Sequence, residues 1–154
     1  MTARKILVPY NFTVDDRKAL DFVVDAFGNR QDVRITLFHA YTPLPEIDVT
    51  ASPELRKVMP GVQHLTRELE EKQRGLAAAR TYLMEHGVLG ELIDTSFKKR
   101  QKGSAEEIID AVRNGGFDVI VLSRKSKRLT ALFERSIHRK LLVSLEKTTV
   151  CLAS

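Results

Sequence analysis

Residues 123–140 read SRKSKRLTALFERSIHRK and follow the apolar run DVIVL. Ser123 and Ser126 offer hydroxyl donors, and Arg124, Lys125, Lys127 and Arg128 offer charge-assisted ones, the combination that holds a phosphate. A second basic run, KKRQK, contributes Lys98, Lys99, Arg100 and Lys102. Other reactive constellations are missing. No GxxxxGK[ST] or GxGxxG follows a strand-like run, HExxH and GxSxG do not occur, and the four histidines (His39, His64, His86 and His138) match no metal-ligand spacing. His39 ends an apolar run, where a ring held by backbone hydrogen bonds is expected rather than a ligand. Glu70/Glu71 and Glu106/Glu107 read as helix-surface and helix-end carboxylates. An enzyme is therefore not expected.

The charge is uneven. The chain of 154 residues carries +5 overall, but residues 1–97 sum to −2 and residues 98–140 to +7. That excess points to an anionic partner: a phosphate-containing anion, nucleic acid or an acidic protein face. Nucleic acid is disfavoured, because aromatics make up 6% of the chain and neither basic run interleaves stacking rings.

Positioning these loops requires an alternation of strands and helices. KILVPY (5–10), VRITLFHAY (33–41), ELIDTSF (91–97), DVIVLS (118–123) and TTVCLA (148–153) read as strands. Between them lie four helical patterns. One follows Thr13 as N-cap, with Asp16 three residues on, and stops at the C-cap pair Gly28-Asn29. A long one runs over 62–86 with Leu65, Leu69, Leu76 and Leu83 on one stripe. A third opens on a capping box, Ser104 to Glu107, and closes at Asn114-Gly115-Gly116. The last carries Leu129, Leu132, Phe133, Ile137, Leu141 and Leu145. Residues 42–60, with four of the five prolines, predict a surface loop with one helical turn near Glu54–Met59.

The expected fold is α/β and single-domain over 1–154: a five-stranded parallel sheet with helices on both faces, Rossmann-like. Ligands of such sheets bind beyond the carboxyl ends of the strands. There the loops Tyr10–Thr13, Ala40–Thr42 and the segment after Ser123 should meet. No stretch approaches the roughly 20 apolar residues of a membrane span, no secretory leader is evident at MTARKILVPY, and the lone Cys151 reads as a buried, reduced thiol. A cytoplasmic protein without a membrane partner is expected.

The segments KILVPYNFT, VRITLFHAY, GSAEEIIDAV and FDVIVLS, then a loop, a helix and TTVCLA, together resemble a universal stress protein domain of the UspA-like family. The resemblance covers essentially the whole chain and rests on order and spacing. It implies a sheet of adenine nucleotide alpha hydrolase type and a homodimer formed through the last strand, here Thr149, Val150, Cys151 and Leu152. ATP-binding members carry an acidic residue just after strand one and G-x2-G-x9-G-[ST] after strand four. Here Asn11 stands at the first position, Ala40 corresponds to the adenine-contacting turn, and Ser123 and Ser126 replace the first two glycines. Ser136 falls at the final pair, and no glycine occurs from 117 to 154. Glycine lets a backbone adopt φ > 0 and approach a phosphate closely. The expectation is therefore a non-enzymatic, dimeric stress-response module that needs no cofactor and acts on a protein partner not identified by the sequence. The alternatives are an ATP- or anion-binding module using Asn11, Ala40, Ser123, Arg124, Lys125, Ser126, Lys127, Arg128 and Ser136, and a nucleic-acid binder.

Overall fold

The computed structural model describes residues 3–44, 54, 57, 59–124 and 138–154. Five strands, β1 (Arg4–Pro9), β2 (Val33–Tyr41), β3 (Ile93–Lys99), β4 (Val119–Ser123) and β5 (Thr149–Ala153), form one sheet in the order β3-β2-β1-β4-β5. Every neighbouring pair is parallel. The three central strands are apolar on both faces because both are covered: β4 is buried at all five residues.

Helices α1 (Asp16–Phe27) and α2 (Met59–Glu85) serve one face. Ala19, Leu20 and Val23 from α1, with Leu76, Ala79 and Leu83 from α2, meet Ile6, Val8, Ile35, Leu37, Val119 and Val121. Helix α3 (Ser104–Gly115) covers the other face, where Ile108, Ile109 and Val112 join Leu7, Phe38, Ile120 and Leu122. Helical residues 138–144 add Leu141, fully buried, to that second core, and Leu145 follows them into it. The start of this last helical pattern lies outside the described residues.

Several local expectations shift. The third strand begins at Ile93, not Glu91, because Gly90–Leu92 form a 3-10 turn closed by Leu92 N–H to Leu89 O at 3.0 Å. Leu65 on the α2 stripe is 38% exposed while Leu76 and Leu83 are buried, so only the second half of α2 lies on the core. The Ser104–Glu107 capping box does not form. Gly103 is the N-cap, without a side-chain cap bond, and the Glu107 carboxylate turns back to other amides. At the α1 start the N-cap is Asp15, and Thr13 acts as a donor to Asp16. Gly28 is the C-cap of α1, as expected, and keeps helical angles; Gly116, at φ 63°, closes α3 in the left-handed region. Of the turn expected near Glu54–Met59, residues 54 and 57 are helical in the 3-10 sense and α2 already contains Met59.

The candidate site at the crossover of the sheet

The chain runs from β1 outward to β2 and β3, then crosses back to place β4 on the other side of β1. The loops after β1 and β4 therefore diverge, which opens the crevice where ligands of such sheets bind. In this chain a carboxylate bridges it. Asp16, the first residue of α1 and 2% exposed, accepts from Asn11 N–H at 2.9 Å, Thr13 N–H at 3.1 Å and the Thr13 hydroxyl at 2.9 Å through Oδ2. Its Oδ1 accepts from the buried Ser123 hydroxyl at 2.6 Å, across 107 residues of chain. Four donors and the positive end of α1 thus converge on one internal anion. A buried charge is tolerable only when so satisfied.

Beside it lies an aromatic row. Phe12 holds a positive φ of 63°, uncommon for a bulky residue, and its ring packs edge-on to Tyr10 (5.1 Å) and His39 (4.7 Å). The ring also reaches α2 at Gly75, where an added Cβ would stand 2.8 Å from Phe12 Cδ1; this glycine is required by close approach. His39 stacks on Phe97, and Phe97 on Tyr41. His39 is buried, and its Nδ1 bonds the Tyr10 carbonyl at 2.8 Å. Backbone satisfaction was expected of this ring and holds for Nδ1 alone: Nε2 is buried without a hydrogen-bond partner among the described residues. Burial pulls the His39 pKa below the ordinary imidazole value.

A second buried carboxylate organises the loop between β3 and α3. Glu107, 1% exposed, accepts from Gln101 N–H (2.7 Å) and Lys102 N–H (2.9 Å) at Oε1. Lys98 Nζ stands 3.2 Å from Oε2, an ion pair without a directed hydrogen bond. The Gln101 amide first, and then Lys102 and Lys98, hold this carboxyl below the usual carboxylate range against the opposing effect of burial. Glu107 stands at the helix end, as expected, but is buried there as an anchor of the KKRQK turn, which offers it two amides. The neighbouring cations are also engaged: Lys102 with Asp110 at 2.7 Å, and Lys140 with Glu106.

Asn11 and Ser123 are brought together through Asp16, whereas the Asn11 side chain is exposed. Ala40 is half-buried against the opposite core, two residues beyond the Pro9–Phe38 pairing of β1 and β2. Arg124 is exposed at the end of β4, its N–H on Ala153 O at 2.8 Å. Lys125, Ser126, Lys127, Arg128 and Ser136 lie outside the described residues. Among the described residues no three His, Cys, Asp or Glu side chains are grouped to hold a metal, and no helix is long and apolar enough to cross a membrane. Asp16 was missed as a site residue. The Thr13-to-Asp16 spacing flagged a cap, but its bond to Ser123 is non-local and left no pattern.

This is an open, parallel α/β sheet whose crossover is spanned by one buried carboxylate. The universal stress protein family model matches residues 2–151, and the chain belongs to that family. Solved structures share the fold. A universal stress protein family member from Burkholderia pseudomallei is 18% identical with a TM-score of 0.63, covering 96% of this chain and 93% of that one. The universal stress protein from Archaeoglobus fulgidus in complex with dAMP is 14% identical with a TM-score of 0.64, covering all of both chains. A family protein from Arabidopsis thaliana with AMP bound is 16% identical with a TM-score of 0.60, covering 98% and 92%. No curated protein sequence matches significantly.

Proposed function

We propose that this chain is a non-enzymatic, dimeric universal stress protein that works through protein contacts and does not depend on ATP. One observation carries the reading: the Asp16 carboxylate takes up the amides of the β1 loop, the Ser123 hydroxyl and the helix end that an anionic ligand would use. A phosphate entering the crevice would meet a fixed negative charge about 3 Å from those donors, a repulsive arrangement in a partly desolvated site. The family resemblance points the same way, since the acidic position after β1 is Asn11 and the glycines after β4 are replaced.

Relatives at 14% and 16% identity carry dAMP and AMP, so nucleotide binding is the reading to test against. Freshly purified protein should show no retained nucleotide by native mass spectrometry. Its melting temperature should not rise with ATP, ADP or AMP. Stoichiometric nucleotide, or a rise of several degrees with ATP alone, would overturn the reading. The exposed Arg124 guanidinium, with no ion pair among the described residues, favours one second reading, generic anion attraction; equal response to sulfate and ATP would mark it. Nucleic acid is a poorer fit, because Lys98, Lys102 and Lys140 are already ion-paired with Glu107, Asp110 and Glu106.

The dimer is proposed through β5. Thr149 N–H bonds Asp118 O and Ala153 O accepts from Arg124, so these residues turn their backbone groups toward β4. By the two-residue period, Val150 and Leu152 present theirs to the free edge. Leu152 is 48% exposed there, and a partner strand would cover it.

A further inference from the structure

His39 lies two residues before the end of β2, inside the aromatic row and 8% exposed. A carbonyl oxygen only accepts, so the 2.8 Å bond to Tyr10 O places a hydrogen on Nδ1. In the neutral ring Nε2 then carries a lone pair, and that atom is buried without a partner among the described residues. Phe12 stands edge-on to the ring and Phe97 stacks with it at 5.7 Å.

A proton arriving at Nε2 would change this balance. The new N–H would need an acceptor and finds none among the described residues. The new charge would be desolvated, with Lys72 of α2 and Arg100 after β3 disfavouring it and Asp16 of α1 favouring it. Tyr10 contributes its carbonyl, and partial burial pushes the pKa of its half-buried phenol up, so it stays neutral. The stack on Phe97 offers a cation–π attraction but no acceptor. The Nδ1 bond survives protonation, so the ring's exit must pull on Tyr10 and, through it, on the strained Phe12 turn that Asp16 anchors.

We propose that His39 is an acid-responsive latch: protonation at Nε2 expels the ring from between Phe12 and Phe97 and loosens the β1–α1 turn from the ends of β2 and β3. The direction follows from burial, which lowers the His39 pKa in the native state. Between the ordinary value of about 6.5 and that lower value, the unfolded or opened chain binds the proton and the closed one does not. Closure is complete above the window and weakens as pH falls, by up to about tenfold per pH unit for one proton. A fall in pH would thereby expose an aromatic surface on the end of the sheet, beyond any role of nucleotide.

Two measurements on the full chain test this. Imidazole C–H resonances followed by NMR should show His39 titrating below the ordinary histidine value. Amide exchange at residues 10–13, corrected for intrinsic rates, should accelerate up to about tenfold per unit across the same window. His39→Asn, whose side-chain amide can still donate to Tyr10 O, should abolish that pH dependence, while His64→Asn on the exposed face of α2 should retain it. The proposal fails if His39 titrates at or above the ordinary value. It also fails if it titrates without any change in exchange at 10–13. Should His39→Asn not fold, the wild-type titration and exchange decide the matter alone.

Discussion

Asp16 has no neutral equivalent, because each of its oxygens is matched to a specific donor. Replacing it with alanine leaves the Asn11 and Thr13 amides and the Ser123 hydroxyl without their acceptor. Orphaned buried donors cost about 1–3 kcal/mol each, less where water enters, so Asp16→Ala should lose about 2–4 kcal/mol in urea unfolding. Asp16→Asn keeps one acceptor oxygen but turns its other end into a donor facing donors, and should lose about 1–3 kcal/mol. Ser123→Ala removes only the link to β4 and should lose about 1 kcal/mol. If Asp16→Ala binds ATP and the parent does not, the carboxylate is confirmed as what seals the crevice. The identities of Asn11, Thr13 and Ser123 were legible in sequence, as was an acid three residues after Thr13. Their convergence was not, because it joins residues 107 apart through the sheet.

At the scale of elements, the loop between β3 and α3 depends on one buried carboxylate. The native pKa of Glu107 is depressed, so its stabilisation is present above the ordinary glutamate value of about 4.3 and is lost as pH falls through the lower native value. Glu107→Gln should therefore lower stability at neutral pH by about 1–3 kcal/mol while flattening the acid limb below about pH 4. An acid limb unchanged from the parent would show that other carboxylates set it. Periodicity placed β2 over residues 33–41 as found, because nine residues between two covered faces read as one apolar run. It misplaced the start of β3, since Glu91 and Leu92 alternate like a strand but belong to the 3-10 turn, and pairing with β2 starts only at Ile35 and Ile93. The Ser104 pattern fitted a capping box, yet Glu107 was drawn to the amides of Gln101 and Lys102. A short motif states what a side chain can bind, and the packed neighbours settle which partner it takes.

For the whole molecule, the proposed assembly has a definite register. Two antiparallel β5 strands using all five residues must be centred on Cys151, which makes Cys151 and its copy a non-hydrogen-bonded pair with Cα atoms about 4.5 Å apart. That spacing falls within the disulfide range of about 4.4–6.8 Å. Mild oxidation with diamide should give a covalent dimer, absent in Cys151→Ser, although burial pushes the thiol pKa up and slows the reaction. Val150→Pro removes an edge N–H without touching the β4 ladder, so it should yield monomer in sedimentation. A dimer that survives Val150→Pro and resists oxidation would place the interface elsewhere. The sequence by itself determined the family, the parallel α/β layout and the loss of glycines after β4, because apolar periodicity and turn chemistry are local properties of a chain. The tertiary structure alone decided that Asp16 joins the β1 loop to Ser123 at the crossover, that Glu107 is an anchor and that His39 keeps a bare nitrogen beside aromatic rings. Those are contacts between distant segments, and the side chain that meets a given donor is settled only when the sheet brings its strands together.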